Sequence, residues 1–406
     1  MKKLTVFAIV ILLTLTACDS GSDESTELPT QPILTQTPDM TVQPSASIPP
    51  SQAADPIPDT NLPLNLIQLP PGFEIAIYSD EVPGARSIAQ GDDGTIYIGT
   101  RGNGVVYALR DLDGNNHAET VLIVAENLNS PNGVAFKDGA LYVAEISRIT
   151  RYDNIAAQLD SGSMPVGTVI KDDYPEDLAH GWKFIRFGAD GLLYIPQGMP
   201  CNVCAEDERY GFISRINTDG TGFEVVARGV RNSVGFDFHP TTGDLWFTDN
   251  GRDWLGDNLP PDELNHATED GMHFGFPYCH AGRYVDDEFG FPGACDEYTP
   301  PAQALGAHVA SLGLRFYTGE MFPREYDGQI FIAEHGSWNS STRVGYQVSL
   351  VRLDGDEVYS YEPFATGWLQ EENIWGRPVD VHVMPDGALL VSDDFAGAVY
   401  RISYRG

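Results

Sequence analysis

One short segment returns six times along this chain of 406 residues, and that echo decides what it can fold into. Each copy is a glycine turn followed by a strand-like run of apolar and aromatic residues. The copies are GDDGTIYIGT ending at Thr100, KDGALYVAE at Glu145, GADGLLYIPQG at Gly198, TTGDLWFTDN at Asn250, YDGQIFIAEHG at Gly336 and MPDGALLVSDD at Asp394. Their turn glycines are Gly94, Gly139, Gly191, Gly243, Gly328 and Gly387, spaced by 45, 52, 52, 85 and 59 residues. A repeat of roughly 40–50 residues carrying several short strands is the sequence signature of a propeller blade. The chain is therefore expected to be all-β, a six-bladed β-propeller over residues 64–406, with a large insertion in the blade that holds the longest gap. In such a fold, chemistry gathers at the mouth of the central channel.

The residues before the repeats read differently. Lys2 and Lys3 precede a short apolar run, Leu4 to Leu15, too short to span a bilayer, so residues 1–17 are expected to be a signal peptide. Its end, Leu15-Thr16-Ala17-Cys18, resembles the bacterial lipobox, which implies cleavage before Cys18 and lipidation of its sulfur. A plain secretory signal is the alternative. Residues 18–63 are rich in Ser, Thr, Pro, Gln, Asp and Glu and cannot bury enough surface to offset their ordering entropy. They are expected to be a disordered, lipid-anchored linker, making the protein an extracytoplasmic lipoprotein of a bacterial cell membrane. A net charge of −34 excludes nucleic acid as a partner.

Five cysteines leave four once Cys18 carries lipid. An oxidising compartment favours disulfides, expected as Cys201–Cys204 and Cys279–Cys295. A zinc site and a redox-active CxxC are the rival readings of the same residues.

Just upstream of each turn lies another short strand: SIAQ, GVAF, FIRF, GFDF, GLRF and VHVM. A residue placed before such a strand should face the channel mouth. The six blades offer there Arg86, then Ser130-Pro131-Asn132, His180, Arg231-Asn232, His308 with Ser311, and Arg377. Turn chemistry accounts for Asn132 and Ser311. It does not account for three arginines in a chain with 24 basic residues against 58 acidic ones. Arginines in a cleft suit carboxylate or phosphate, so the mouth is expected to bind a small anion, with His180 able to exchange protons. The polar stretch GRDWLGDNLPPDELN reads as a long loop whose Asp253, Asp257, Asp262 and Glu263 offer oxygens suited to calcium. Glu334-His335-Gly336-Ser337-Trp338-Asn339 follows a strand, and His335, Trp338 and Asn339 can stack on or hydrogen-bond to a planar ligand. Asp111 to Glu119 has acidic spacing that fits either a calcium loop or a simple turn.

The segments AHGWKFIRFGADG, CNVC, GVRNSVGFDFHPTTGDLWFTDNGRDWLGDNLPPDELN, HFGFPYC, LGLRFYTGEMFP, AEHGSWN and GRPVDVHVMPDGALLVSDD together resemble the L-sorbosone dehydrogenase family and, more distantly, soluble quinoprotein glucose dehydrogenase. The resemblance runs from about Pro70 to Arg401. It implies a six-bladed propeller that uses pyrroloquinoline quinone (PQQ) and calcium to oxidise a sugar, an aldose or aldosone, by hydride transfer from C1 to the quinone. By position it implies that His180 is the general base and Arg231 the arginine beside the quinone. Asn232, Arg377, Arg86, His335, Trp338 and Asn339 are implied cofactor contacts. The carbonyls of Gly251 and Arg252 are implied calcium ligands beside Asp253, with Asp262 near a second calcium. A membrane quinone or a cytochrome is the implied electron acceptor. Two departures stand out: Lys183 where the family has arginine, and HGSWN in place of a lysine-bearing strand end, so glucose itself is not implied. A calcium-dependent lactonase and a non-catalytic propeller that binds a glycan or protein are the competing readings. The arginines argue against the lactonase, which needs a channel metal held by Glu, Asn and Asp.

Overall fold

The computed structural model describes residues 62–406; the expected signal peptide, Cys18 and nearly all of the linker lie outside the described residues. The turn glycines sit where the repeat places them. Each joins the innermost strand of a blade to its second strand; five blades are four-stranded antiparallel sheets, the third carries a fifth strand, Met272–His273, paired parallel, and all six glycines adopt positive φ, between 70° and 88°. At Gly94, Gly139, Gly243 and Gly328 a side chain would meet no neighbour, so backbone conformation, rather than space, selects glycine there.

The innermost strands are Ile88–Gln90, Gly133–Lys137, Arg186–Phe187, Phe236–Phe238, Ser311–Phe316 and Pro378–Val383. These are the six short strands read upstream of the turns. The second strands are Ile96–Ile98, Ala140–Ala144, Leu193–Gln197, Leu245–Asp249, Ile330–Glu334 and Leu389–Asp393. The sixth blade is completed from the other end of the chain, because Phe73–Ser79 pairs antiparallel with the last strand, Ala398–Tyr404. That closure fastens the start of the chain to the last blade and so ties the first and last blades together.

The core is a set of inter-blade layers rather than one centre. Tyr97 and Val106 of the first blade meet Val134 and Leu141 of the second. Phe184 and Ile213 meet Phe236 and Phe247. Trp246 meets Leu314 and Ile332, and Phe331 meets Val391 and Tyr400. Each blade therefore buries its two faces mainly on its neighbours, which lets one closed domain run past the usual size.

One expectation needs correction. The stretch read as a single polar loop ends in the third strand of the fourth blade, Pro261–Ala267, six of whose seven residues are buried. Its polar side chains are tolerated there because they have partners. Asp262 accepts the N–H groups of Gly251 and Ser311 at 2.9 Å each, and Glu263 accepts from Ala281 N–H and from Asn265. The extra length of this blade is divided between residues 250–260 and residues 268–302, the latter closed by Cys279–Cys295. Cys201 and Cys204 are also bonded to each other, so the four cysteines form two disulfides and no thiolate is left for zinc.

Candidate active site

An antiparallel hairpin that starts at one face of the disc returns to that face at the end of its second strand. Each blade therefore contributes two positions to the mouth, one before its first strand and one after its second. Polar residues at the end of the second strand brace the loop before the first. Asp249 accepts from Arg231 N–H and Asn232 N–H, Asp393 from Arg377 N–H, and Glu145 from Asn129 N–H.

Hydrogen bonds then run from blade to blade around the axis. Arg86 Nε donates to Asn132 Oδ1 at 2.5 Å, and Asn132 Nδ2 donates to the Lys183 carbonyl. Met199 N–H donates to the Arg231 carbonyl, and Asn250 Nδ2 to the Ser311 carbonyl. His335 Nε2 lies 2.9 Å from Asp394, whose other oxygen takes Arg86 at 2.6 Å. The ring thus closes through all six blades, and of the residues read before the first strands it brings together Arg86, Asn132, Arg231 and Ser311.

Two groups emerge. In the first, Arg86, Arg377 and His335 surround the carboxylate of Asp394. Burial alone would raise the pKa of Asp394, yet His335, Arg86 and Arg377 outweigh it and hold it well below the usual carboxylate range. In the second, the buried guanidinium of Arg231 bonds the Asn202 carbonyl and side chain, the Asn250 carbonyl and Asp253. Asn232 is buried beside it, and Asn339 reaches Asp253 at 3.4 Å.

His180 stands between the groups with left-handed backbone, φ 51°. Its Nδ1 lies 2.8 Å from the Met199 carbonyl. Burial, then Arg231 and Arg101, push its pKa down to about 3. The ring is therefore neutral, and because a carbonyl can only accept, Nδ1 carries the hydrogen and Nε2 keeps its lone pair. Below it, Lys183 is fully buried and donates to the Gly181 carbonyl at 2.9 Å and to the Ile146 carbonyl. Burial lowers its pKa to about 7. It fastens the backbone on either side of the base without reaching the mouth.

Arg101 was not legible from the sequence reading. Its guanidinium lies 3.6 Å over the Trp182 ring, which meets His180 edge-on at 6.1 Å. Arg101 is exposed to solvent at the mouth; crowding by the surrounding walls, then Arg86 and Arg377, lower its pKa, opposed by Asp394. Among the described residues no carboxylate or carbonyl contacts this guanidinium. It links the two groups electrostatically and offers a fork of donors to a ligand.

Trp338 does not enter the ring. It is 63% exposed and meets Trp254, 66% exposed, edge-on at 5.4 Å on the rim. His308 turns aside to the Gly256 carbonyl, and Asp257 holds Ser341. Arg252 pairs with Asp286, which also holds His280.

Beneath Gly251 and Arg252 lie the buried carboxylates Asp249, Asp262 and Glu263. Burial raises all three, Asp262 to about 6, and mutual repulsion raises Asp249 and Glu263 further. The folded state thus holds protons that the unfolded chain releases. The contribution of these three carboxylates to stability is greatest below the ordinary carboxylate range of about pH 4 and falls as pH rises through 6 and beyond. A divalent cation would relieve that repulsion. Millimolar calcium is expected to raise the melting temperature more at about pH 8 than at about pH 5; equal gains would show that no cation meets these carboxylates. Asp111, Asp113 and Glu119 also approach one another, in a turn held by its own Asp and Asn side chains.

The chain belongs to the TrAA12-like family, which it matches over residues 67–405. An uncharacterised protein of Borreliella burgdorferi is 33% identical over 356 residues, covering 84% of this chain and 91% of that protein. Among solved structures, the holo PQQ domain of pyranose dehydrogenase from Coprinopsis cinerea is 17% identical over 83% of this chain and 97% of its own, with a TM-score of 0.69. A calcium structure of the Trichoderma reesei carbohydrate-active enzyme of family AA12 is 18% identical over 84% and 97%, with a TM-score of 0.69. The PQQ-bound aldose sugar dehydrogenase of Streptomyces coelicolor is 16% identical over 83% and 100%, with a TM-score of 0.58. The resemblance read from the sequence to quinoprotein sugar dehydrogenase propellers is borne out in family and fold.

Proposed function

We propose that the protein is a PQQ-dependent dehydrogenase that oxidises an aldose or aldosone sugar. The observation that carries this reading is His180 with its Nδ1 held by the Met199 carbonyl, which leaves Nε2 for a ligand, beside Arg231 and Arg101. The likeness to a pyranose dehydrogenase PQQ domain and to an aldose sugar dehydrogenase supports it.

The residues fit the cofactor and its metal. PQQ is a planar tricarboxylate, and the guanidiniums of Arg86 and Arg377 on Asp394, with Arg101 beside them, are forked donors suited to carboxylates. The carbonyls of Gly251 and Arg252, above three buried carboxylates, suit calcium. When bound, the quinone supplies a two-electron acceptor, which no side chain provides.

The chain's own groups do the rest. His180 Nε2 accepts the proton of the sugar hydroxyl, and the Met199 carbonyl holds Nδ1–H so that the lone pair keeps its direction. Burial lowers the basicity of His180 most, and Arg231 and Arg101 add to it. An anionic ligand offsets both guanidiniums and so moves the base back towards neutral pH, where it works best. Arg231 stands ready to stabilise negative charge developing beside it. Trp254 and Trp338 offer the C–H face of a sugar an apolar wall. A lipid at Cys18 would hold this chemistry on the outer side of a cell membrane, within reach of a membrane quinone or cytochrome.

The test is dye reduction by the purified protein with PQQ and calcium, across a panel of aldoses and aldosones. Turnover needing both additions is expected. Failure to bind PQQ at all would move the assignment to a non-catalytic binding propeller.

A further inference from the structure

The loop of residues 198–211, between Leu193–Gln197 and Phe212–Ile216, touches both halves of the site. Met199 accepts His180 Nδ1 and donates its own N–H to the Arg231 carbonyl. Three residues on, Asn202 sits between the bonded cysteines 201 and 204. Its carbonyl accepts Arg231 Nε at 2.8 Å, and its Oδ1 accepts Arg231 at 2.9 Å and Asp253 N–H at 2.7 Å. Its Nδ2 donates to the Asp253 carbonyl at 3.1 Å. One residue therefore holds both the guanidinium and the carboxylate-bearing segment that pairs with it.

Residues 198–206 contain no helix or strand, so backbone ladders do not fix Asn202. What fixes it is the disulfide and the seat of Cys201, Val203 and Cys204 on Met199, Tyr210 and Phe276. A bond between cysteines three apart closes too short a loop to restrict the unfolded chain much, compared with the 16-residue separation of Cys279 and Cys295. Its effect is local geometry. Both cysteines are partly exposed, whereas Cys279 is buried.

We propose that Asn202 is the positioning residue of Arg231 and that the Cys201–Cys204 disulfide keeps it in place, which makes the site thiol-sensitive. The consequence for turnover rests on the dehydrogenase reading; the release of the arginine does not. The step is thiol–disulfide exchange with a dithiol. A thiolate of the reductant attacks one sulfur, the Cys201–Cys204 bond breaks, and the second thiol of the reductant resolves the mixed disulfide. Two electrons and two protons pass to the cysteines, and the reductant leaves as its own disulfide. Freed of the bond, the loop relaxes and Asn202 no longer holds Arg231.

The experiment treats the whole protein with dithiothreitol and follows modification of Arg231 by phenylglyoxal, read by peptide mass spectrometry, alongside kcat and KM for dye reduction. Arg231 should be protected when the bond is intact and modified about tenfold or more faster after reduction. The C201S/C204S variant should match the reduced protein, which separates this bond from Cys279–Cys295. Asn202→Ala should expose Arg231 with the disulfide intact and lower kcat about 10- to 100-fold with little change in KM. Asn202→Asp, which keeps the oxygen acceptors, should recover most of both. Unchanged Arg231 reactivity in the reduced protein and in Asn202→Ala would overturn the proposal. If the parent protein shows no quinone-dependent turnover, the dehydrogenase reading fails, and the arginine readout alone decides this one.

Discussion

Replacing His180 by glutamine is expected to lower kcat by about 10²- to 10⁴-fold while leaving PQQ affinity within a few-fold. Glutamine can still donate to the Met199 carbonyl that His180 Nδ1 meets at 2.8 Å, so the loop should stay in place. What it lacks is a lone pair basic enough to take a proton. The same reasoning fixes the protonation state of the free protein. With its pKa pushed down to about 3 by burial and then by Arg231 and Arg101, the ring should remain neutral throughout the range in which an ordinary histidine titrates, around 6.5. Its folded pKa lies below the unfolded one. The stability this provides is therefore present above about pH 6.5 and drains as pH falls towards 3. Nitrogen-detected NMR of ¹⁵N-labelled histidine would follow this directly, and addition of PQQ should move the titration upward. A ring that titrates normally in the free protein would overturn the depressed basicity attributed to burial and the two arginines, and a glutamine variant with undiminished kcat would remove His180 from the role of base.

The blades were legible because the repeat carries its own geometry. Six glycines recur at one left-handed turn position, and the strands beside them alternate apolar and aromatic residues. The closing strand, Phe73–Ser79, was not legible, since its partner Ala398–Tyr404 lies at the far end of the chain and no local pattern announces such pairing. The third strand of the fourth blade read as loop because PDELNHA is polar, and the groups that satisfy Asp262 and Glu263 come from Gly251, Ser311 and Ala281. At the site, the position before each first strand led to Arg86, His180, Arg231 and Arg377. The position after each second strand faces the same mouth, and only one blade's turn sequence announced it. Arg101, Asn250 and Asp394 occupy it, aligned behind Thr100, Asp249 and Asp393 of the same repeat; its fourth polar occupant, His335 behind Glu334, is the one the sequence did single out. Asn202 had no such signal, because its role depends on a disulfide and on where Arg231 comes to rest.

Replacing Asp394 by asparagine is expected to destabilise the protein by about 3–5 kcal/mol, the cost of leaving buried charge without its partner. Arg86, 2% exposed, contacts this carboxylate at 2.6 Å, Arg377 at 3.2 Å and His335 at 2.9 Å. An amide keeps an oxygen for one of them but removes the charge that two guanidiniums share. The loss should depend on pH. The folded pKa of Asp394 is depressed, so its contribution is present above about pH 4 and is lost as pH falls below that. Parent and variant should therefore converge in stability in acid and diverge near neutrality, as chemical denaturation at several pH values would show. The ligand gives a second, opposite effect. Without Asp394 the guanidiniums of Arg86 and Arg377 lose the carboxylate they share, so a bound tricarboxylate should restore part of the lost stability and gain more from the variant than from the parent. A PQQ-induced rise in melting temperature that is larger in Asp394→Asn would place the ligand's carboxylates against these arginines. An equal rise in both proteins would place them elsewhere and leave Asp394 as a brace between the first, fifth and sixth blades alone.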